Sequence, residues 1–218
     1  MCDNHAPIDK LVQGFQHFRR EHFERKDPYY QALVRGGQNP RVLFLACSDS
    51  RVDPAIVFGT APGDLFIIRN VANIVPPFET NAGQHGVSAA IEYAVNVLRV
   101  EHIIINGHSQ CGGIRALCEK PEDATVDTPC LVGRWLALAR PAYEKARRDH
   151  PDADMDQLAL ECEKDSILAS LDNLMTFPMV KARVEAGELK LHGWHFDMTR
   201  GVLQAWNPES GLFEALSA

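Results

Sequence analysis

The sequence predicts an α/β fold. It reads as a single domain on a central, mostly parallel sheet of about five strands, flanked by helices and carrying an N-terminal helical extension. Two observations lead there. Three short apolar runs, VLFLA (42–46), LFIIR (65–69) and HIIIN (102–106), are unbroken rather than alternating, as in strands buried on both faces. Between the second and third, GVSAAIEYAVNVLRV sets Val87, Ile91, Ala94 and Leu98 on one helical stripe, making strand, helix and strand a right-handed crossover unit.

Ahead of the first strand, Ile8, Leu11, Val12, Phe15, Phe18 and Phe23 mostly keep helical spacing from Ile8 to about Lys26. Asp9 stands near the start of that helix and Pro28 soon after its end. This helix precedes the sheet and belongs to an arm over 1–35, with the α/β core over 36–206. Past Cys130 the chain is largely helical, through LVGRWLALARPAYEKARR and DMDQLALECEKDSILASLDNLM. LKLHGWHFD and GVLQAWN then read as two further strands around the turn MTRG, and 207–218 as a tail.

Composition narrows the class. The chain has 218 residues, 45% of them hydrophobic and 23% charged, enough for one proper core. A formal net charge of −7 argues against nucleic-acid and anionic-membrane partners, which call for clustered Lys and Arg. The mixed-sign segment RREHFERK reads as a solvated helix face. No stretch approaches the roughly 18–20 apolar residues of a membrane span, and MCDNHAPIDK lacks the basic and apolar parts of a secretory signal. The expected setting is cytoplasmic and reducing. There the six cysteines (Cys2, Cys47, Cys111, Cys118, Cys130, Cys162) are free thiols or metal ligands rather than disulfides.

The chemistry concentrates in two places. In ACSDSR, closing the first apolar run, Cys47, Asp49 and Arg51 are two residues apart and share one side of an extended backbone. INGHSQCGGI, closing the third, supplies His108, Cys111 and then Gly112 and Gly113. Both lie at the carboxyl ends of strands, where open α/β sheets build their sites. Cys47, His108 and Cys111 form a Cys₂His set; zinc takes such donors tetrahedrally, and three protein ligands leave the fourth position open. A structural zinc finger needs a fourth ligand at short spacing, and none of Cys2, Cys118, Cys130 or Cys162 repeats such a pair. A lone His-x-x-Cys arises often by chance, and buried cysteines are usually small hydrophobes. The two motifs together, each after a buried strand, are far more restrictive.

The matching pieces ACSDSRV (46–52), PGDLFIIRNVAN (62–73), GVSAAIEYAV (86–95) and HIIINGHSQCGG (102–113) resemble the β-class carbonic anhydrases, densely from about Gln38 to Leu117. The resemblance implies that Cys47, His108 and Cys111 bind one Zn²⁺ per subunit. It also implies that Asp49 and Arg51 form a dyad beside the metal, and that zinc-bound hydroxide hydrates CO₂ reversibly to bicarbonate and a proton. Two thiolates and a neutral imidazole cancel the charge of the ion, so a rate rising on the alkaline side is expected. Arg51 is expected to grip Asp49 in a bidentate pair and hold it off the zinc. The resemblance maps a substrate pocket onto Phe66, Val71 and Tyr93, with Gln38 offering an amide and Gly112 a backbone N–H. In the family several such residues come from a partner subunit, which implies a homodimer or higher even oligomer.

The family's regulatory bicarbonate pocket carries a Trp three residues before the first cysteine ligand in some members. Here that position is Phe44, with Arg69 present; NVANIVPPFE and AAIEYAV look closer to the plant-like branch. His85 and His22 are candidate proton relays, while His192 and His195 read as structural. Three rival readings compete: a CS₂ or COS hydrolase on the same fold, a non-catalytic zinc-binding or thiol-regulatory protein, and a nucleotide-binding sheet. The last lacks the G-x-G-x-x-G order.

Overall fold

The computed structural model describes residues 7–24, 28–81, 83 and 85–216. The chain divides into two compact units, Met1–Asn39 and Pro40–Ala218. In the first, α1 (Pro7–Arg19) runs into a π-helical turn over Arg20–Glu24, and α2 (Pro28–Gly36) follows. Phe18 centres a ring cluster with Phe15, His22, Phe23 and Tyr30, at centroid distances from 4.6 to 6.4 Å. The helical end expected near Lys26, like Cys2, lies outside the described residues.

The second unit runs β1 (Val42–Cys47), α3 (Pro54–Val57), β2 (Leu65–Asn70), α4 (Gly86–Glu92, continuing as a π-helical turn over Tyr93–Val97) and β3 (His102–His108). There follow α5 (Gly112–Glu119), α6 (Leu131–Leu136), α7 (Arg140–Asp149), α8 (Met155–Leu174), α9 (Pro178–Glu185), β4 (Lys190–Asp197), β5 (Val202–Asn207) and β6 (Leu212–Ala215). The strands pair in the order β2-β1-β3-β4-β5-β6. The first four are parallel, and β5 and β6 join antiparallel. Among the described residues the sheet thus has six strands, where about five were expected. The additional one, β6, is only four residues long, too short a pattern to stand out; pairing with β5 and the Trp206–Phe213 ring contact at 5.4 Å hold it.

The apolar runs pack as their unbroken pattern demands. Leu43, Leu45, Ile103 and Ile105 enter one layer with Ile91, Val95 and Phe177, while Phe44, Ala46 and Ile104 enter another. Each buried Leu, Ile, Val or Phe among them contributes on the order of 1.5–3 kcal/mol by leaving water. A further cluster joins Cys47 and Cys111 to Ile114, Leu117, Leu158 and Cys162, tying the strand ends to α5 and α8.

Helix α8 comes unusually close to the sheet. A Cβ on Gly107 of β3 would stand 2.7 Å from Ile167 Cδ1, and one on Gly193 of β4 would stand 2.8 Å from Ile167 Cγ2. Glycine at both positions lets Ile167 settle between the two strands. One helical turn earlier, Glu163 is thereby brought to the end of β3.

Candidate metal centre

Strands β1 and β3 are hydrogen-bonded neighbours, with Val42 level with His102 and Ala46 with Asn106. Their carboxyl ends therefore arrive side by side. Cys47 ends β1, His108 ends β3, and Cys111 caps the amino end of α5. The two sulfurs and a ring nitrogen of His108 all lie within 4.8 Å of one another, and all three residues are buried. A tetrahedral ion with bonds of about 2.0–2.3 Å needs its donors roughly 3.5–4 Å apart, so the cluster is of the size that can hold one.

The ring of His108 is already oriented. Its Nδ1–H donates to the Ser109 carbonyl at 2.9 Å, which leaves Nε2 as the lone-pair nitrogen. That Nε2 is buried and has no hydrogen-bond partner among the described residues. A donor set of two thiols and an otherwise orphaned imidazole nitrogen fits zinc. The Cys47 thiol is pulled well below its usual pKa, chiefly by a hydrogen bond from Cys111 and against the cost of burial; the Asp49 and Ala72 N–H groups assist. The Asp49 N–H stands 3.4 Å from Cys47 Sγ. Cys111, which shares its proton with Cys47 and is itself buried, is pushed up. One sulfur of the pair is ready as a thiolate.

Beside the cluster, Arg51 meets Asp49 at both oxygens, Nε to Oδ1 at 3.0 Å and Nη2 to Oδ2 at 2.7 Å. The Arg51 N–H adds a bond to Oδ1 at 2.9 Å. These hydrogen bonds hold the Asp49 carboxyl far below the usual carboxylate range, so it is ionised. Nη2 of Arg51 also donates to the Gln110 carbonyl at 3.1 Å. Gln110 has φ of 58°, a left-handed backbone that costs a non-glycine residue energy, and it lies between His108 and Cys111. One guanidinium thus fixes both the carboxylate and the strained link between two donors.

Arg69 is fully committed to structure. It donates to the carbonyls of Cys47 (2.9 Å) and Asp49 (2.6 Å) and pairs with Asp53 (2.8 Å), which in turn caps α3 through the Ala55 N–H. Phe44 packs against Phe58 and Trp194 in tilted and edge-to-face contacts, with centroids 5.0 and 6.1 Å away. Aromatic rings therefore fill the space around Phe44, and the guanidinium of Arg69 is spent on the backbone that carries Cys47.

The other expected residues are spread more widely. Val71 lies against the start of α5, where a Cβ on Gly113 would stand 3.0 Å from Val71 Cγ1; Gly112 opens that helix. Phe66 and Tyr93 form a ring pair at 5.9 Å on the outer side of the sheet, where β2 is the edge strand. Phe66 is level with Leu43, whereas Asn70 is level with Cys47. Phe66 is therefore four residues, about 13 Å along the strand, from the level of the cluster in its own chain. Gln38 and His22 belong to the N-terminal unit. His85 Nε2 bonds Asn81 Oδ1 at 2.8 Å, and His192 Nε2 bonds His102 Nδ1 at 3.0 Å.

Sequence reasoning missed Glu163 and read His195 as merely structural. Glu163 is 3% exposed; its Oε1 accepts from the Cys111 N–H at 2.9 Å, and its Oε2 bonds His195 Nε2 at 3.1 Å. The available signal was a glutamate on the buried stripe Ala159, Glu163, Ser166, Ser170 of α8.

Comparison with known proteins agrees with this geometry. The family model described as carbonic anhydrase matches residues 42–203. Beta carbonic anhydrase 3 of Arabidopsis thaliana is 34% identical over 199 residues, covering 91% of this chain and 76% of that protein. The solved structure of the β-carbonic anhydrase CcaA matches with a TM-score of 0.87 at 34% identity, over 96% of this chain and 100% of that one. One of two tetrameric β-carbonic anhydrases from Sordaria macrospora matches with a TM-score of 0.67 at 28% identity, over 91% and 92%. No helix among the described residues is long and apolar enough to cross a membrane. With its strand-end cysteine–histidine–cysteine cluster and these likenesses over nearly its whole length, the chain belongs to the β-class carbonic anhydrases.

Proposed function

We propose that this chain interconverts CO₂ and bicarbonate with one Zn²⁺ per subunit, held by Cys47, His108 and Cys111. The observation that carries the reading is the meeting of three buried donors within 4.8 Å, one of them the otherwise partnerless Nε2 of His108. Bound zinc would supply Lewis acidity, lowering the pKa of a coordinated water so that its deprotonated form could serve as the nucleophile toward CO₂.

The chain's own residues set the geometry around that ion. Asp49, ionised and pinned by Arg51, offers a fixed hydrogen-bond acceptor beside the cluster, and the same grip keeps its oxygens from turning onto the metal. Gly112, at the amino end of α5, offers a backbone N–H suited to an anion such as bicarbonate. Val71 adds apolar surface next to it, which suits CO₂.

The pocket is completed by a second copy. Phe66, whose ring meets that of Tyr93, sits about 13 Å along the strand from the Cys47 level of its own chain, yet Tyr93 and Val71 are exposed at 42% and 41% beside the sheet edge. Pairing of two chains along that edge would cover these residues and bring an aromatic recess to each metal centre, with Gln38 offering its amide. The tetrameric relatives support self-association.

Metal analysis together with stopped-flow CO₂ hydration tests the reading. The expected result is one zinc per wild-type subunit with rapid hydration, and loss of both in Cys47→Ala. A metal-free wild type, or undiminished hydration in Cys47→Ala, would overturn it.

A further inference from the structure

Cys111 is the donor of the set that lies on no strand. It follows the left-handed Gln110 and precedes α5, so no carbonyl within that helix accepts from its N–H. The neighbouring residues are anchored from other elements: the Ser109 N–H bonds the Phe196 carbonyl at 2.9 Å, the Met198 N–H bonds Ser109 Oγ at 2.8 Å, and Arg51 holds the Gln110 carbonyl. For Cys111 the anchor is Glu163 of α8, whose Oε1 accepts its N–H at 2.9 Å.

An acidic side chain is a costly choice at this depth. Glu163 is 3% exposed and His195 is fully buried, and a carboxylate removed from water is disfavoured unless its oxygens are bonded. Here both are. Oε1 takes the Cys111 N–H and Oε2 takes Nε2–H of His195, a residue fixed in β4. The reach is set by packing, because Ile167, one turn along α8, is seated between Gly107 and Gly193.

We propose that Glu163, itself oriented by His195, is the positioning residue for Cys111: it fixes the main chain that delivers the third donor to the metal. The inference rests on the metal reading above. It assigns Glu163 an orienting role through another residue, with no contact to substrate. The reach of the acceptor oxygen matters, and the negative charge does not.

Two variants separate reach from charge. Glu163→Asp keeps the charge and withdraws the carboxylate by one methylene. Glu163→Gln keeps the reach and an acceptor oxygen, while His195 can meet its amide N–H through the other ring tautomer. Zinc-loaded full-length proteins are challenged with excess chelator while zinc release is followed, and the cobalt(II)-substituted forms are compared by thiolate-to-cobalt absorption. The expected result is zinc release about tenfold faster or more in Glu163→Asp, with an altered cobalt spectrum, and wild-type behaviour in Glu163→Gln. Wild-type release from Glu163→Asp, or a Glu163→Gln as impaired as Glu163→Asp, overturns the proposal. Failure of the wild type to take up zinc at all defeats the metal reading instead, so the two failures are distinct.

Discussion

The guanidinium of Arg51 meets the carboxylate of Asp49 edge to edge, at 3.0 and 2.7 Å, and reaches past it to the Gln110 carbonyl at 3.1 Å. An exposed ion pair of two neighbouring residues would ordinarily contribute about 0–1 kcal/mol. Here the pair is a positioning device, because its third bond goes to the segment joining His108 to Cys111.

Replacing Asp49 by Ala should cut CO₂ hydration by about a hundredfold or more, the usual effect of removing a fixed polar partner from a reacting group. Zinc content should persist, since Asp49 is not among the three donors. Metal analysis beside stopped-flow rates checks this, and equal loss of zinc and rate would contradict it.

Arg51→Lys should not restore function. An ammonium is a single point of contact, whereas the observed geometry uses Nε and Nη2 on two carboxylate oxygens and Nη2 again on Gln110. Both Arg51→Lys and Arg51→Ala are expected to lose turnover, by about tenfold or more. Lysine matching the wild type in kcat would show that charge alone suffices.

The pH profile should rise on the alkaline side and carry no break from Asp49. Its hydrogen bonds to Arg51 lower its pKa far below neutrality, so the carboxylate is already charged throughout the range from about pH 5 to 9. On the proposed reading the rising limb would belong to the metal centre, where two thiolates would weaken the field of a bound ion. Rates that stay flat over that range, or a limb that moves in Arg51→Lys as Asp49 is released, would refute this assignment.

Gly193→Ala should destabilise the fold by about 1–3 kcal/mol, because the new methyl group would meet Ile167 Cγ2 at 2.8 Å. Shortening the opposing side chain, as Ile167→Val, should recover little, since valine retains that Cγ2. Ile167→Ala should cost less in the Gly193→Ala background than in the wild type, because the clash it relieves exists only there. Urea unfolding midpoints of the wild type and of the single and double variants measure it.

Much of the architecture was legible because its determinants are local. The runs 42–46, 65–69 and 102–106 became β1, β2 and β3 nearly residue for residue, and MTRG became the turn between β4 and β5. The strand β6 was not legible, since four residues carry too little pattern apart from their partner. Cys47, His108 and Cys111 stood out through residue type and position at strand ends. Glu163 did not: LECEKD alone does not mark which of its polar residues turns inward, the stripe of Ala159, Ser166 and Ser170 gives only a weak signal, and the seating of Ile167 on two glycines decides it.

The sequence by itself determined which segments are buried strands and which thiols and imidazole stand at their ends, because hydrophobic periodicity and residue chemistry act over a few neighbouring positions. The tertiary structure alone decided that β1 lies beside β3, that Glu163 reaches the Cys111 N–H, and that Phe66 lies well away from its own cluster. Those relations join residues dozens of positions apart, and they are fixed by strand register and by how closely a helix can approach the sheet.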